Sequence, residues 1–422
     1  MKKQYLSRNE FLKLGGSAIL LSLAGNYKLL GQSLPNSQHL VDTPLKREAY
    51  LKRLLETICT DIGPHRFGTA EYEKVALIYK KEFGLASAQV VQDWVPFSMW
   101  EPTSRPVFRI GNTELETMPY KGIAGTPKGG STGILKKAER GNSYKLVDSN
   151  DKVLATVTVN SYGRAISSSA YRNDREIGYV DPAQPSDPIF NIGRQDVPAL
   201  EAAVQNRSPV MVNVQTRFLP PKPGSSIIAT IPGKSTEEIL FLAHADSPYM
   251  SPGANDNTAS VIVMLMLAHS FSGTVPNRTI TFMATGGEED GKVGAIHYAE
   301  KRNREGTMKN IKFVVNFDSL TWGPNLQIYS RENDIKDMIA SIHRDLNIKA
   351  EPKLFDGEGY NMDSAPFRGS GGKAMYVNSR GYDGITLPAY HRPEDIPAIV
   401  GADCAEIGFL VFREYINRLQ KL

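Results

Sequence analysis

Residues able to hold a divalent cation recur along this chain at one kind of place, the end of an apolar run. His244 and Asp246 close the run at 239–243, and Asp256 follows inside GANDN. Glu288 and Glu289 follow the run at 279–284 in GGEED, and Asp318 closes 311–317 in NFDS. His391 lies beyond the run at 374–378, in YHRPED. Singly, each has an ordinary reading. His244 could be a core histidine, Asp256 a helix N-cap, and the glutamates a solvated turn. Asp318 is harder to place that way, because a lone buried carboxylate costs several kcal/mol unless it is paired. As a set delivered by successive strand ends, these residues point to a metal centre.

The chemistry of such a set is coherent. Zinc accepts imidazole nitrogen and carboxylate oxygen, and a catalytic zinc leaves a position for water. Two zinc ions bring four positive charges. Asp256, Glu289, Asp318 and a shared hydroxide offset them, and neutral His244 and His391 complete the ligands. Without cations the same carboxylates would repel one another and raise their own pKa values. Glu288, beside a ligand, can take a proton from the shared water and pass it to a leaving amine. Asp246, two residues past His244, suits the role of orienting that imidazole. Gly286 and Gly287 let the backbone turn before the paired glutamates. Manganese or cobalt would suit the same donors.

The elements that must position these residues are legible as periodicity. Leu51, Leu54, Leu55 and Ile58 have helical spacing, and a second helix is expected over 69–83, with a strand over 88–97. From 223 on, strands at 239–243, 279–284, 311–317 and 374–378 alternate with helices at 258–269, 294–303, 335–346 and 404–419. Continuous apolar strands separated by helices predict an α/β fold, with a mostly parallel central sheet covered by helices on both faces. Such sheets keep their chemistry beyond the carboxyl ends of the strands. Residues 103–222 read differently, with short strands such as 153–159 and 211–215, many glycine turns and one short helix at 199–205. They are expected to form an inserted small β-rich domain, whose exit is marked by Pro220, Pro221 and Pro223. The catalytic domain would then comprise 34–102 and 223–422.

Composition excludes little but does exclude something. The 422 residues carry a net charge of +4, with 41% apolar and 22% charged residues, and 36 Gly with 26 Pro suggest many loops. No basic run is interleaved with aromatics, so nucleic acid is not an expected partner. Cys59 and Cys404 could pair if the two ends of the domain meet, but two ordinary buried thiols are the plainer expectation. Residues 1–33 have a positive start, at Lys2, Lys3, Arg8 and Lys13, and a short apolar stretch at 15–25. They are expected to be an export signal, cleaved or kept as a tether, which makes the protein secreted or periplasmic. The stretch SRNEFLKLGG is similar to a twin-arginine signal with Asn9 in place of the second arginine. No later stretch is long enough for a transmembrane segment.

Taken in order, DIGPHRFGTAEYEKVALIYKKEFGL, FLAHADS, GANDNTAS, GGEEDGKVGA, VVNFDS, GYNMDSAPF and YHRPED resemble peptidase family M28, the co-catalytic zinc aminopeptidases and carboxypeptidases. The resemblance implies the phosphorylase/hydrolase-like fold of zinc exopeptidases and a peptide substrate. It implies two Zn2+ per chain, with Asp256 bridging, His244 and Asp318 on one ion, and Glu289 and His391 on the other. Glu288 would be the general base and Asp246 the partner of His244. Tyr390 would contact the developing oxyanion, with aromatic packing as its ordinary reading. At 364 this chain has Ser where the family often has His. Many members carry a protease-associated domain where the β-rich insertion falls. An aminopeptidase is the leading expectation. The alternatives are a carboxypeptidase or dipeptidase on the same metals, with Arg368, Arg380 or Arg392 as carboxylate anchor, a one-zinc glutaminyl cyclase, or a non-catalytic binding protein. The oligomeric state is left open.

Overall fold

Eight strands form the sheet on which the metal-type residues are arranged. They are β1 (Gln89–Phe97), β2 (Lys222–Ile231), β3 (Ser235–His244), β4 (Arg278–Thr285), β5 (Ile311–Phe317), β6 (Gln327–Ser330), β7 (Lys353–Asp356) and β8 (Lys373–Asn378). The computed structural model describes residues 36–87, 89–139, 141–169, 185–379 and 389–422. The sheet order is β1-β2-β4-β3-β5-β8-β6-β7. The central strands β4, β3, β5 and β8 are mutually parallel, while β1 and β2 add antiparallel strands at one edge. At the other edge β6 runs antiparallel to β8 and parallel to β7. The architecture is therefore α/β, as expected, with a mixed sheet whose centre is parallel. Strands β2, β6 and β7 were not anticipated. Prolines and glycine disguise the start of β2, and β6 and β7 are only four residues long.

The central strands are apolar throughout because each face meets its own core. Along β3, Ile239, Phe241 and Ala243 point into the larger core, and Leu240 and Leu242 into the smaller. The larger core is filled from α1 (Pro44–Leu55), α2 (Ala70–Ala86), α3 (Ala259–Ser270) and α6 (Ala402–Leu419), and α5 (Asn333–Asp345) packs on α6. Every residue of α3 except Ser270 is buried, which explains a helix with no polar face. The smaller core takes Ala295, Tyr298 and Ala299 from α4 (Val293–Arg304). Burying each Leu or Phe here contributes about 1.5–3 kcal/mol.

Between β1 and β2 the chain leaves this sheet and returns. Its outgoing leg, Trp100–Pro102, pairs antiparallel with its returning leg, Thr216–Phe218. Among the described residues between the legs lie a second sheet of nine strands, the α-helix Val197–Gln205, and a core of its own around Phe108, Leu146, Val157, Phe190, Leu200 and Val212. One rim of this sheet is the strand Met118–Lys121 with its parallel neighbour Ser168–Ser169. Both cysteines are buried and free. The expected export signal at 1–33 lies outside the described residues. No helix among the described residues is long and apolar enough to cross a membrane.

One buried polar chain ties the first described residues to α3. His269 is hydrogen-bonded at both ring nitrogens, by Ser37 Oγ at 2.6 Å and Tyr50 Oη at 3.0 Å, and Tyr50 donates to Glu82 at 2.8 Å. Burial pushes the His269 imidazole down to about 4, against the opposing charge of Glu82. The unfolded chain, with its histidine near 6.5, therefore binds a proton that the folded chain refuses. Stability is full above that value and falls as pH drops from about 6.5 toward 4, by at most about 3 kcal/mol from this residue. His65, also pushed down to about 4 by burial, acts in the same direction. Denaturant midpoints measured at pH 7 and pH 4.5 should differ less in His269→Gln than in the unaltered protein. An undiminished difference would clear His269 of the acid sensitivity.

Candidate metal centre

Parallel pairing brings three strand ends side by side. His244 on β3 lies opposite Thr285 on β4, and Ala243 lies opposite Phe317 on β5. His244 therefore stands between the turn that carries Glu288 and Glu289 and the β5 end that carries Asp318. The loop after β8 adds His391.

Ligand atoms of His244, Asp256 and Glu289 lie within 4.8 Å of one another, and all three residues are buried. Nε2 of His244 is 3.2 Å from Oδ1 of Asp256. Nε2 of His391 is 3.4 Å from the other oxygen of Asp256 and 3.1 Å from Oε1 of Glu289. Burial opposes every charge in this group, yet the partners prevail. The imidazole of His244, hydrogen-bonded to it, and the facing imidazole of His391 hold Asp256 well below the usual carboxylate range. The charge of His391 brings Glu289 down to about 2. Glu289 and Asp256 in turn lift His391 to about 10, and Asp256 and Glu288 lift His244 well above its usual value. Asp318 lies beside this group. Its oxygens accept from Tyr376 Oη at 2.7 Å and Ser319 Oγ at 3.2 Å, and its charge helps to raise Glu288.

The local backbone explains why these side chains meet. The Asp256 loop is pinned on both sides. Asp395 accepts from the backbone N–H of Asn255 at 2.7 Å and of Asp256 at 3.0 Å, tying it to the His391 loop. Asn257 donates to the Phe317 carbonyl at 2.9 Å and accepts from the Ser319 N–H at 3.0 Å, tying it to the end of β5. Gly287 turns at φ +77°, in the region that favours glycine. Gly286 is needed for a different reason, since a Cβ there would run into the Tyr72 hydroxyl and the Phe67 ring.

Asp246 departs from its expected contact. Nδ1 of His244 donates to the Asp246 backbone carbonyl at 3.0 Å, and the nearer carboxylate oxygen is 3.9 Å away. The carboxylate instead accepts from the backbone N–H groups of Gly287, Glu288 and Glu289 at 2.9, 3.2 and 3.2 Å. A short acidic side chain satisfies a turn with adjacent N–H donors better than it reaches back to its neighbour's ring. Burial pushes the Asp246 carboxyl up to about 7. Glu288 is pushed well above its usual value by burial, with the charges of Glu289, Asp363 and Asp318 adding to it and that of His244 opposing. The Tyr390 ring stacks on His391 at 3.8 Å between centroids and on Tyr162 of the inserted sheet at 5.0 Å.

Several residues of the site stand in the sequence only as letters of a motif, with no role of their own, or carry no signal. Asp395 and Tyr376 act on ligands through contacts remote in the chain. Asp363 is fully buried beside the acidic group, accepts from Thr285 Oγ1 and is raised to about 6, first by burial. His65 is buried with Nε2 unpartnered, and the charge of His244 helps to lower it. Lys121 and Ser167 reach the site from the inserted sheet. Nζ of Lys121 donates to the Glu289 carbonyl, and Nδ1 of His391 donates to the Ser167 carbonyl at 2.8 Å. Only the motif DIGPHRFG drew attention to His65, and the short strand at 118–121 drew none to Lys121.

Chemically, a buried group of two imidazoles and several carboxylates, with more acidic groups than the neighbouring Lys121 ammonium can balance, suits a divalent metal. Known proteins agree with that chemistry. Residues 226–412 match the family model described as Peptidase family M28. The chain is 36% identical over 121 residues to the alkaline phosphatase isozyme conversion protein of Escherichia coli strain K12, covering 25% of this chain and 35% of that one. It is 28% identical over 168 residues to aminopeptidase YwaD of Bacillus subtilis strain 168, covering 38% and 36%. The chain thus spans only about a third of the length of these curated relatives. A Peptidase M28 precursor from Shewanella amazonensis SB2B shares the fold with a TM-score of 0.71 at 16% identity, over 90% of this chain and 96% of that one. The matched segment holds every metal-type residue gathered at the strand ends, and over that segment this chain is similar to peptidase family M28.

Proposed function

We propose that this chain is a two-zinc exopeptidase that releases N-terminal residues from peptides. The observation that carries the reading is the setting of Asp256. One of its oxygens faces Nε2 of His244 and the other faces Nε2 of His391. The oxygen toward His391 is buried with no hydrogen bond. A carboxylate shared between two imidazoles suits two cations better than one. His244 and Asp318 would hold one ion and Glu289 and His391 the other, with Asp256 shared. Zinc, when bound, polarises a carbonyl oxygen and makes water a nucleophile near neutral pH.

The remaining steps belong to the chain. Glu288 stands beside the ligand Glu289 and has a carboxyl raised by burial, which suits it to accept a proton from water at Oε and return it to the leaving amine. Asp246 fixes its backbone through the turn N–H groups. Tyr390, stacked on His391, would contact the developing oxyanion.

Charge favours a free amine over a free carboxylate as the anchored substrate end. Asp363, and Glu288 once it has lost its proton, add negative charge beyond the ligand set. Of the arginines considered as carboxylate anchors, Arg368 pairs with Glu358 near the surface. Arg392 is buried against Glu116, Glu394 and the Ala165 carbonyl. Arg380 lies outside the described residues. The leader-like residues 1–33 support export to the periplasm or beyond as part of the same reading.

Elemental analysis of the purified protein should find two zinc ions per chain. One zinc together with pyroglutamate formation would favour the glutaminyl cyclase reading, and no metal with no hydrolysis the binding-protein reading. Glu288→Gln should keep its zinc and lose about 10²–10⁴-fold in kcat. Near-normal turnover at full metal content would remove Glu288 from the chemistry. On a panel of short peptides, N-acetylation should abolish cleavage and C-terminal amidation should leave it intact. The opposite pattern would assign a carboxypeptidase.

A further inference from the structure

The two halves of the centre are held by different parts of the molecule. His244 and Asp318 are positioned by residues of the eight-stranded sheet and its loops, namely the Asp246 carbonyl, Tyr376 and Ser319. Glu289 and His391 meet the inserted sheet as well. Lys121, on the strand Met118–Lys121, is 3% exposed. Its ammonium donates to the Glu289 backbone carbonyl and lies 3.6 Å from both Glu289 Oε2 and Asp290 Oδ1. Holding Oε2 leaves Oε1 turned toward His391, 3.1 Å away.

The neighbouring strand of the same rim secures His391. Tyr120 pairs with Ser168, which places Ser167 alongside. The Ser167 carbonyl accepts from Nδ1 of His391 at 2.8 Å, and the Ser167 N–H donates to the His391 carbonyl at 3.3 Å. His391 sits at φ +54°, in the left-handed region. A residue other than glycine persists there only where its surroundings hold it. The paired backbone bonds from Ser167 and the ring stack through Tyr390 to Tyr162 supply that hold.

We propose that this rim of the inserted sheet builds one of the two metal positions, with Lys121 and the Ser167 carbonyl as positioning groups for Glu289 and His391. The inference rests on the two-metal reading above. It makes the insertion part of the metal centre rather than a spacer or a roof. Groups that orient ligands in this way change metal affinity by about 10–100-fold when removed.

The test is metal titration of the full, metal-stripped chain against a chromophoric chelator, with Co2+ absorption as a second readout. Lys121→Met should bind the first equivalent as the unaltered protein does and the second about 10–100-fold more weakly, with a changed Co2+ spectrum for the second ion only. Lys121→Arg should recover part of the loss. Lys121→Gln, which keeps N–H donors and removes the charge, should weaken the second equivalent and provides the measurement if the Met variant does not fold. Lys137→Met, an exposed lysine of the same sheet paired with Glu201, should titrate normally. Two equivalents bound with unaltered affinity by a folded Lys121 variant would overturn the inference alone. A single equivalent bound by the unaltered protein would overturn the two-metal reading, and this inference with it.

Discussion

Burying carboxylates beside one another is costly, and most of this structure answers to that cost. Asp246, Asp256, Glu288, Glu289, Asp318, Asp363 and Asp395 are all withdrawn from water around a few strand ends. An isolated ionised carboxylate in such a place would give up its charge. The chain meets the demand in three ways. Backbone N–H groups serve Asp246 and Asp395, imidazoles serve Asp256 and Glu289, and hydroxyls serve Asp318 and Asp363. What these donors leave over is negative charge concentrated between His244 and His391, which the proposed pair of divalent ions would answer.

The parallel centre of the sheet makes this concentration possible. Residues opposite one another on β3, β4 and β5 leave their strands at the same level, so their following loops begin together. The covered faces supply the rigidity. With α3 buried on nearly all sides and Phe67 and Tyr72 pressed against Gly286, the turn bearing Glu288 and Glu289 has no room to relax.

Much of this was legible before any coordinates. The apolar runs of β3, β4, β5 and β8 and the helices between them follow from periodicity, since a strand buried on both faces has a signature that a surface strand lacks. The run at 311–317 coincides with β5. The ligand types were legible for the same reason, because Asp318 or His244 at the end of such a run is out of keeping with its neighbours. Contacts remote in sequence were not legible. Nothing near Lys121 marks it as a partner of Glu289, and nothing in the acidic side chain of Asp246 reveals that it would serve a turn 41 residues on rather than its neighbour's ring. Asp395 is marked in the sequence only as the last letter of YHRPED, because a carboxylate that binds backbone N–H groups leaves no pattern in side-chain types.

The paired legs Trp100–Pro102 and Thr216–Phe218 give the inserted sheet a near end and a far end. Sequence drift should be unequal between them. Around Thr113–Leu115, at the opposite edge of the sheet, a changed turn alters only local solvation, whereas a residue gained or lost near Met118–Lys121 or Ser168–Ser169 shifts the register by one and turns Lys121 to the opposite face. Relatives of this chain can therefore vary the outer half of the insertion in length and composition while the rim against the metal-type residues keeps its spacing.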